Sequence, residues 1–212
     1  MSQTRPRGAR TPAVVARRAE AERVARRRRY ELWGGAVLLV VVVVAAVVGF
    51  RLSARSTAAA GAPPGIGQLA PNATFTTLAG RTESIASLRG KPTLLWLMTT
   101  WCSSCQASTQ TLAQNLSALE ADGVRVVEVE NYDDLGQSGP SLAQFGKVLA
   151  GPAFSNPDWT FAESSLALTR TYNPRSDLDI YYLLNAKGEV TYVNSTPAAT
   201  MSQLLGAAGR LS

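Results

Sequence analysis

The segment Trp101-Cys102-Ser103-Ser104-Cys105 holds the only two cysteines of a 212-residue chain. Two residues separate them, so on a helix they stand one turn apart. The motif follows an apolar run of strand length and opens a helical pattern. A helix N-terminus presents unpaired N–H groups and a partial positive charge, which stabilise a thiolate there. A first cysteine so placed attacks a disulfide, and the second resolves the mixed disulfide that results. Cys102 is therefore expected as the exposed nucleophile and Cys105 as the more buried resolver. Two other readings remain open. A structural disulfide across so short a loop stabilises little. A metal site of the usual kind needs four ligands, and no histidine or third cysteine is present to complete one; a two-coordinate Cu(I) dithiolate is the metal reading that the two cysteines leave. Neither a resident metal nor a cofactor is expected.

The elements that must position this motif follow from pattern. Leu94–Met98 is continuously apolar, bounded by Pro92 and by Thr99-Thr100, as in a central strand covered on both faces. Ser103–Ala121 reads as helix, with Leu112, Leu116 and Leu119 on one face. Asp122-Gly123 ends it, and Val124–Val129 is a second buried strand. Ala73–Leu78 is expected as a short strand, and Pro140–Leu149 and Glu163–Tyr172 as helices. Ile180–Leu184 and Glu189–Val193 flank the turn Asn185-Ala186-Lys187-Gly188 and predict a hairpin. Met201–Ala207 is a last helix. The order β-β-α-β-α-α-β-β-α implies an α/β fold with a sheet of mixed direction. The acidic, turn-rich loop Glu130–Pro140 is expected to be a solvated connection, with a partner groove as its other reading. Trp96 and Trp159 are expected in packing roles, and Trp101 as a shield beside Cys102.

Outside this domain the chain carries two further landmarks. Residues 1–31 hold ten arginines against three glutamates, a net +7, while the remaining residues hold 11 basic and 12 acidic side chains. The basic pI of about 9.7 thus belongs to a tail, which argues against a basic nucleic-acid-binding domain. Residues 32–50 form an uncharged apolar run, Leu32–Phe50, long enough at 1.5 Å per residue to cross a bilayer core of roughly 30 Å. By the positive-inside rule residues 1–31 are a cytoplasmic tail, 32–50 a transmembrane helix, and everything after Phe50 lies outside. A cleaved signal peptide is the alternative, with small residues at Thr57–Gly61, but the apolar run and its basic leader are longer than such signals use. Residues 51–66 have linker composition, and 67–212 form one extracytoplasmic domain. The absence of histidine removes His-based triads, His-ligated metals and imidazole switches.

Arg89-Gly90-Lys91-Pro92, the Leu94–Met98 strand and Thr100-Trp101-Cys102-Ser103-Ser104-Cys105 together resemble a thioredoxin-like protein of the membrane-anchored, extracytoplasmic TlpA/ResA type. The stretch Tyr181–Val190 is similar to the late hairpin of that family, and the resemblance spans about residues 69–207. It implies a thioredoxin-like mixed sheet flanked by helices, preceded by one transmembrane helix. It also implies catalytic Cys102 and Cys105 exchanging electrons with protein disulfides or dithiols outside the cytoplasm. The departures are specific. Ser104 stands where a proline is common, Gln106-Ala107-Ser108 is neutral, and Ser108 occupies a position where some members carry glutamate. The strand before the motif lacks an acid, and Asp179 falls close to the position of the family's cis-proline, with Pro174 five residues earlier. A carboxylate there opposes the helix dipole at the dithiol. The sequence leaves the direction of exchange undecided; the lack of a nearby histidine or lysine favours a reductant. The alternative function is a non-catalytic thioredoxin-fold scaffold with a permanent disulfide. The oligomeric state is not legible.

Overall fold

In the computed structural model residues 62–211 are described. The tail and the apolar run Leu32–Phe50 lie outside them, as does most of the linker. Among the described residues no helix is long and apolar enough to cross a membrane.

Strand β3 (Thr93–Met98) is buried at all six positions. Its alternation sorts side chains onto two cores, Leu94, Trp96 and Met98 on one face and Leu95 and Leu97 on the other. It runs parallel to β4 (Arg125–Glu130) and antiparallel to β6 (Ile180–Leu184). The first face is covered by α1 (Ser103–Ala121), α2 (Leu142–Leu149) and α4 (Pro197–Ala208) through Leu112, Leu116, Leu119, Phe145 and Leu204. The second is covered by α3 (Leu166–Tyr172) through Leu168 and Tyr172, joined by Ile85 and Leu88 of a 3-10 turn.

The remaining strands are β1 (Thr74–Thr77), β2 (Thr82–Ser84), β5 (Trp159–Ser164) and β7 (Val190–Asn194). They complete a seven-stranded sheet in the order β2-β1-β5-β4-β3-β6-β7. Parallel pairs at β3–β4 and β4–β5 sit between antiparallel pairs at β1–β5, β1–β2, β3–β6 and β6–β7, so the sheet is mixed, as expected. Helix α1 spans the expected residues. It ends at Asp122 and Gly123, the latter at φ +72 where only glycine is unstrained, and Val124 N–H closes back on Leu119 O at 2.9 Å.

Several expectations need correction. The segment expected as one helix over Glu163–Tyr172 is divided: Glu163 and Ser164 finish β5, and the helix starts at Leu166 behind its Ser165 cap. Strand β5 itself was absent from the expected order. Its residues Trp159, Phe161, Ala162 and Ser164 are buried by neighbours on both sides, whereas the polar residues Thr160, Glu163 and Ser164 mask the pattern in sequence. The three-residue β2 was also missed, its pairing with β1 being supplied by a tight turn at Gly80 (φ +76). Within the expected linker, Pro64 is already buried, and just past it Gly67 N–H bonds to Val190 O at 2.7 Å.

Candidate active site

Strand β3 delivers Thr99 and Thr100 to its C-terminal end, and the chain turns there into α1. Cys102 is the N-cap residue: its backbone is extended (φ −83, ψ 123) and its Sγ accepts the Cys105 N–H at 3.3 Å. A sulfur thus takes the capping place usually held by a serine or aspartate oxygen. The Ser104 hydroxyl lies 2.9 Å from Cys102 Sγ. Cys105, one turn on, points inward. Its Sγ lies 3.5 Å from Leu178 O, 3.9 Å from Thr99 Oγ1 and 3.9 Å from Asp179 Oδ2.

These surroundings separate the two thiols. Burial pushes Cys102 up, but hydrogen bonds from the side chains and backbone of Cys105 and Ser104 outweigh it and hold the thiol below its ordinary value. Burial pushes Cys105 far up. The neighbouring Cys102 and the charge of Asp179 add to that rise, which a hydrogen bond from Thr99 only partly offsets. The repulsion expected from Asp179 therefore falls on Cys105 and not on Cys102. The expectation of an exposed Cys102 is corrected: only 3% of its surface is exposed, and its sulfur is turned back to cap the helix.

Asp179 lies immediately before β6, where counting back from the hairpin put it, and no cis peptide bond occurs among the described residues. The two oxygens of its buried carboxyl have separate tasks. Oδ1 accepts the Thr196 N–H at 2.5 Å and the Thr196 hydroxyl at 3.4 Å. Oδ2 faces the thiols, 3.5 Å from Ser104 Oγ and 3.9 Å from Cys105 Sγ. A cleft of about 440 Å³ opens beside this group, bordered by Ser104, Arg175, Asp177, Asp179 and Thr196.

The loop after β4, expected as a solvated connection, supplies a site residue that sequence reasoning missed. Asp134 is buried; it accepts the Thr100 N–H at 2.9 Å and the Thr100 hydroxyl at 2.6 Å, and its carbonyl accepts the Trp101 indole N–H at 2.9 Å. Asp133, Asp134 and Leu135 all adopt left-handed backbone with φ of 51, 46 and 57. Such a conformation costs roughly 1–2 kcal/mol per residue outside glycine, so those bonds must hold it. Gly139 lies against the same turn: a Cβ there would sit 2.1 Å from Thr100 Oγ1. Asn131 ties the loop to β3 through Met98 O, and Asn173 ties Asn131 to the backbone of Asp177. The sequence signal for Asp134 was only its place in a turn-rich stretch following a buried strand.

Ser108, one of the departures from family pattern, is buried in α1, and its hydroxyl accepts the Ala198 N–H at 3.1 Å, fixing the start of α4. An acid is also present near the motif on β4. Glu128 is fully buried and is hydrogen-bonded by Thr109 at 2.8 Å and the Trp159 indole at 3.1 Å. Burial raises its carboxyl to about 8 despite those bonds.

The model of the AhpC/TSA family matches residues 66–166. The soluble secreted antigen MPT53 of Mycobacterium tuberculosis (strain ATCC 25618 / H37Rv) is 32% identical over 131 residues, covering 61% of this chain and 68% of that protein. Among solved structures, a candidate thiol:disulfide interchange protein DsbE from Chlorobium tepidum aligns with TM-score 0.54 at 20% identity, over 69% of this chain and 99% of that one. A peroxiredoxin-like protein from Aquifex aeolicus aligns with TM-score 0.55 at 16% identity, over 72% and 91%. These likenesses show a thioredoxin-like fold.

Proposed function

Because the chain belongs to the thioredoxin-like family that includes the mycobacterial antigen MPT53, we propose that it is a membrane-anchored thiol–disulfide oxidoreductase working through Cys102 and Cys105 outside the cytoplasm. The observation that carries this reading is the division of labour between the two sulfurs. Cys102 caps a helix and has its thiolate stabilised, while Cys105 is buried behind it with its thiol held protonated.

The exchange follows from that arrangement. The Cys102 thiolate attacks one sulfur of a partner disulfide; that S–S bond breaks and one partner thiolate leaves. Cys105 then loses its proton, for which Asp179 Oδ2 is the adjacent carboxyl oxygen, and attacks Cys102 Sγ. The mixed disulfide breaks, the second partner thiol leaves, and the two electrons of the dithiol pass to the partner. In the opposite direction the same steps oxidise a partner dithiol. The low exposure of Cys102 and the aspartate before β6 favour a second reading, a scaffold with a permanent disulfide.

Trapping separates the two. Cys105→Ala in cells should accumulate mixed disulfides through Cys102, and Cys102→Ala should accumulate none; a Cys105→Ala chain that captures no partner overturns the exchange reading. The reduction potential against glutathione then assigns the direction. The anchor is supported by the apolar run Leu32–Phe50 behind ten arginines. A membrane-impermeant maleimide added to intact cells should label the reduced pair, and labelling only after lysis overturns the extracytoplasmic placement.

A further inference from the structure

Cys102, Cys105 and Asp179 present one ligand atom each, and the three atoms lie within 4.8 Å of one another. They come from two elements brought together by the sheet, the start of α1 and the residue before β6. A zinc ion bound by two thiolates at about 2.3 Å and one carboxylate oxygen at about 2.0 Å places its sulfurs roughly 3.8 Å apart and each sulfur roughly 3.5 Å from the oxygen. Cys105 Sγ and Asp179 Oδ2 lie 3.9 Å apart, so small side-chain adjustments reach that figure.

From this geometry we propose that the reduced dithiol and Asp179 form a Zn²⁺ site, with Cys102 Sγ, Cys105 Sγ and Asp179 Oδ2 as ligands and the fourth position open to the adjoining cleft. The donor missing from a count of cysteines and histidines is the carboxyl. The second observation supporting it is how Asp179 is held. The Thr196 N–H and hydroxyl take Oδ1, which fixes the carboxyl plane and turns Oδ2 toward the sulfurs. Metal-binding carboxylates are oriented by outer hydrogen bonds of this kind. Asp179 takes part in none of the ion pairs found among the described residues, so no cation competes for it there. Ser104 Oγ, 2.9 Å from Cys102 Sγ and 3.5 Å from Asp179 Oδ2, remains a hydrogen-bond donor to the bound ligands. The mixed sulfur–oxygen set suits borderline-soft zinc, whereas Cu(I) is satisfied by the thiolates alone.

Binding is not a redox step. Each thiol releases its proton to solvent as its Zn–S bond forms, two protons per ion, and no electrons move. The site exists only in the reduced state, because the disulfide has no thiolate to offer. Zinc therefore protects the dithiol from oxidation and blocks exchange until it is removed. The site uses the sulfurs of the proposed exchange reaction but does not depend on that activity.

The test uses the full chain in detergent micelles, reduced, stripped with chelator and desalted. Titrated with Zn²⁺ against a chromophoric chelator, it should take up one ion, and the oxidised chain none. Asp179→Asn should weaken binding by at least about tenfold, while Asp177→Asn, on the rim of the same cleft, should leave it unchanged. Co²⁺ in place of Zn²⁺ should show thiolate charge-transfer bands and tetrahedral ligand-field bands, the latter altered in Asp179→Asn. Circular dichroism confirms that each variant is folded. Equal affinity of folded Asp179→Asn and the parent overturns the site, as does a parent that leaves all zinc on the chelator. Mixed-disulfide capture by Cys105→Ala in the presence of EDTA reads the exchange activity separately. A chain that captures partners but ignores zinc sinks the metal site alone; one that binds zinc but captures nothing sinks the exchange reading alone.

Discussion

Ser104, after Cys105, is the side chain that acts on Cys102. Its hydroxyl lies 2.9 Å from the sulfur, and the same group lies 3.5 Å from Asp179 Oδ2. A hydroxyl has one proton, so Ser104 serves whichever acceptor is charged more fully at the moment. Replacing it with alanine removes one of the bonds that offset burial. Ser104→Ala should therefore raise the Cys102 pKa, measured by the ultraviolet absorbance of the thiolate or by the pH dependence of alkylation. In the parent, Cys102 should alkylate at lower pH than Cys105, and an unchanged Cys102 titration in Ser104→Ala would contradict this account. At this scale the sequence was informative where spacing speaks. The cysteine pair and Asp179 were legible by counting along the chain. The burial of Cys102 was not, because it comes with the sulfur turning back to cap α1 and with packing that spacing does not show.

The turn between β3 and α1 is held from outside by the loop after β4. Thr100 and Asp134 are 34 residues apart, and no periodicity connects a loop aspartate to a turn threonine. That is why the sequence marked Glu130–Pro140 only as a connection. Strand β5 was hidden for a related reason: its buried polar residue Ser164 finds its partner in the helix that follows, Thr169 of α3 at 2.6 Å, and so escapes a hydropathy pattern. The helix α1, by contrast, was legible from end to end, since its start, its apolar face and its glycine stop are all local signals. Asp134→Ala should leave the Thr100 N–H and hydroxyl unpaired and lower stability by about 1–3 kcal/mol, read by denaturant titration. Gly139→Ala should force its new Cβ against Thr100 Oγ1 and lower stability by about 1–3 kcal/mol as well. Both should also slow reaction of Cys102 with a model disulfide, because the turn that presents it is loosened. A Gly139→Ala chain as stable as the parent would show that this contact is not tight.

Across the whole domain, the buried Glu128 and the half-buried Glu130 set the response to pH. Burial raises Glu128 to about 8; burial, then Asp134 and Glu163, raise Glu130 to about 7. Both lie above the ordinary 4.5 of an unfolded glutamate. Between that value and the raised ones the folded domain binds more protons than the unfolded chain, so stability falls as pH rises. It is greatest below about 4.5 on this account, and the loss by pH 8 is on the order of a few kcal/mol. The decline above pH 7 belongs mainly to Glu128. Glu128→Gln should flatten the fall of Tm between pH 7 and 8 and retain the part due to Glu130 at lower pH. Gln can accept from only one of Thr109 and Trp159, so the slope and not the absolute Tm is the readout; an unaltered slope would refute the assignment.

Asp179 joins the dithiol to the start of α4 through a single carboxyl group. The Thr196 N–H sits 2.5 Å from its Oδ1, and a proton in so short a contact resonates far downfield in an amide spectrum. Any change in charge at the other oxygen, from the sulfurs or from a bound ion, shifts that resonance. Thr196 is thus a native spectroscopic gauge of the cysteine pair. It can be read by proton–nitrogen correlation without labelling either cysteine, and its shift should move when Cys102 and Cys105 are joined by oxidation.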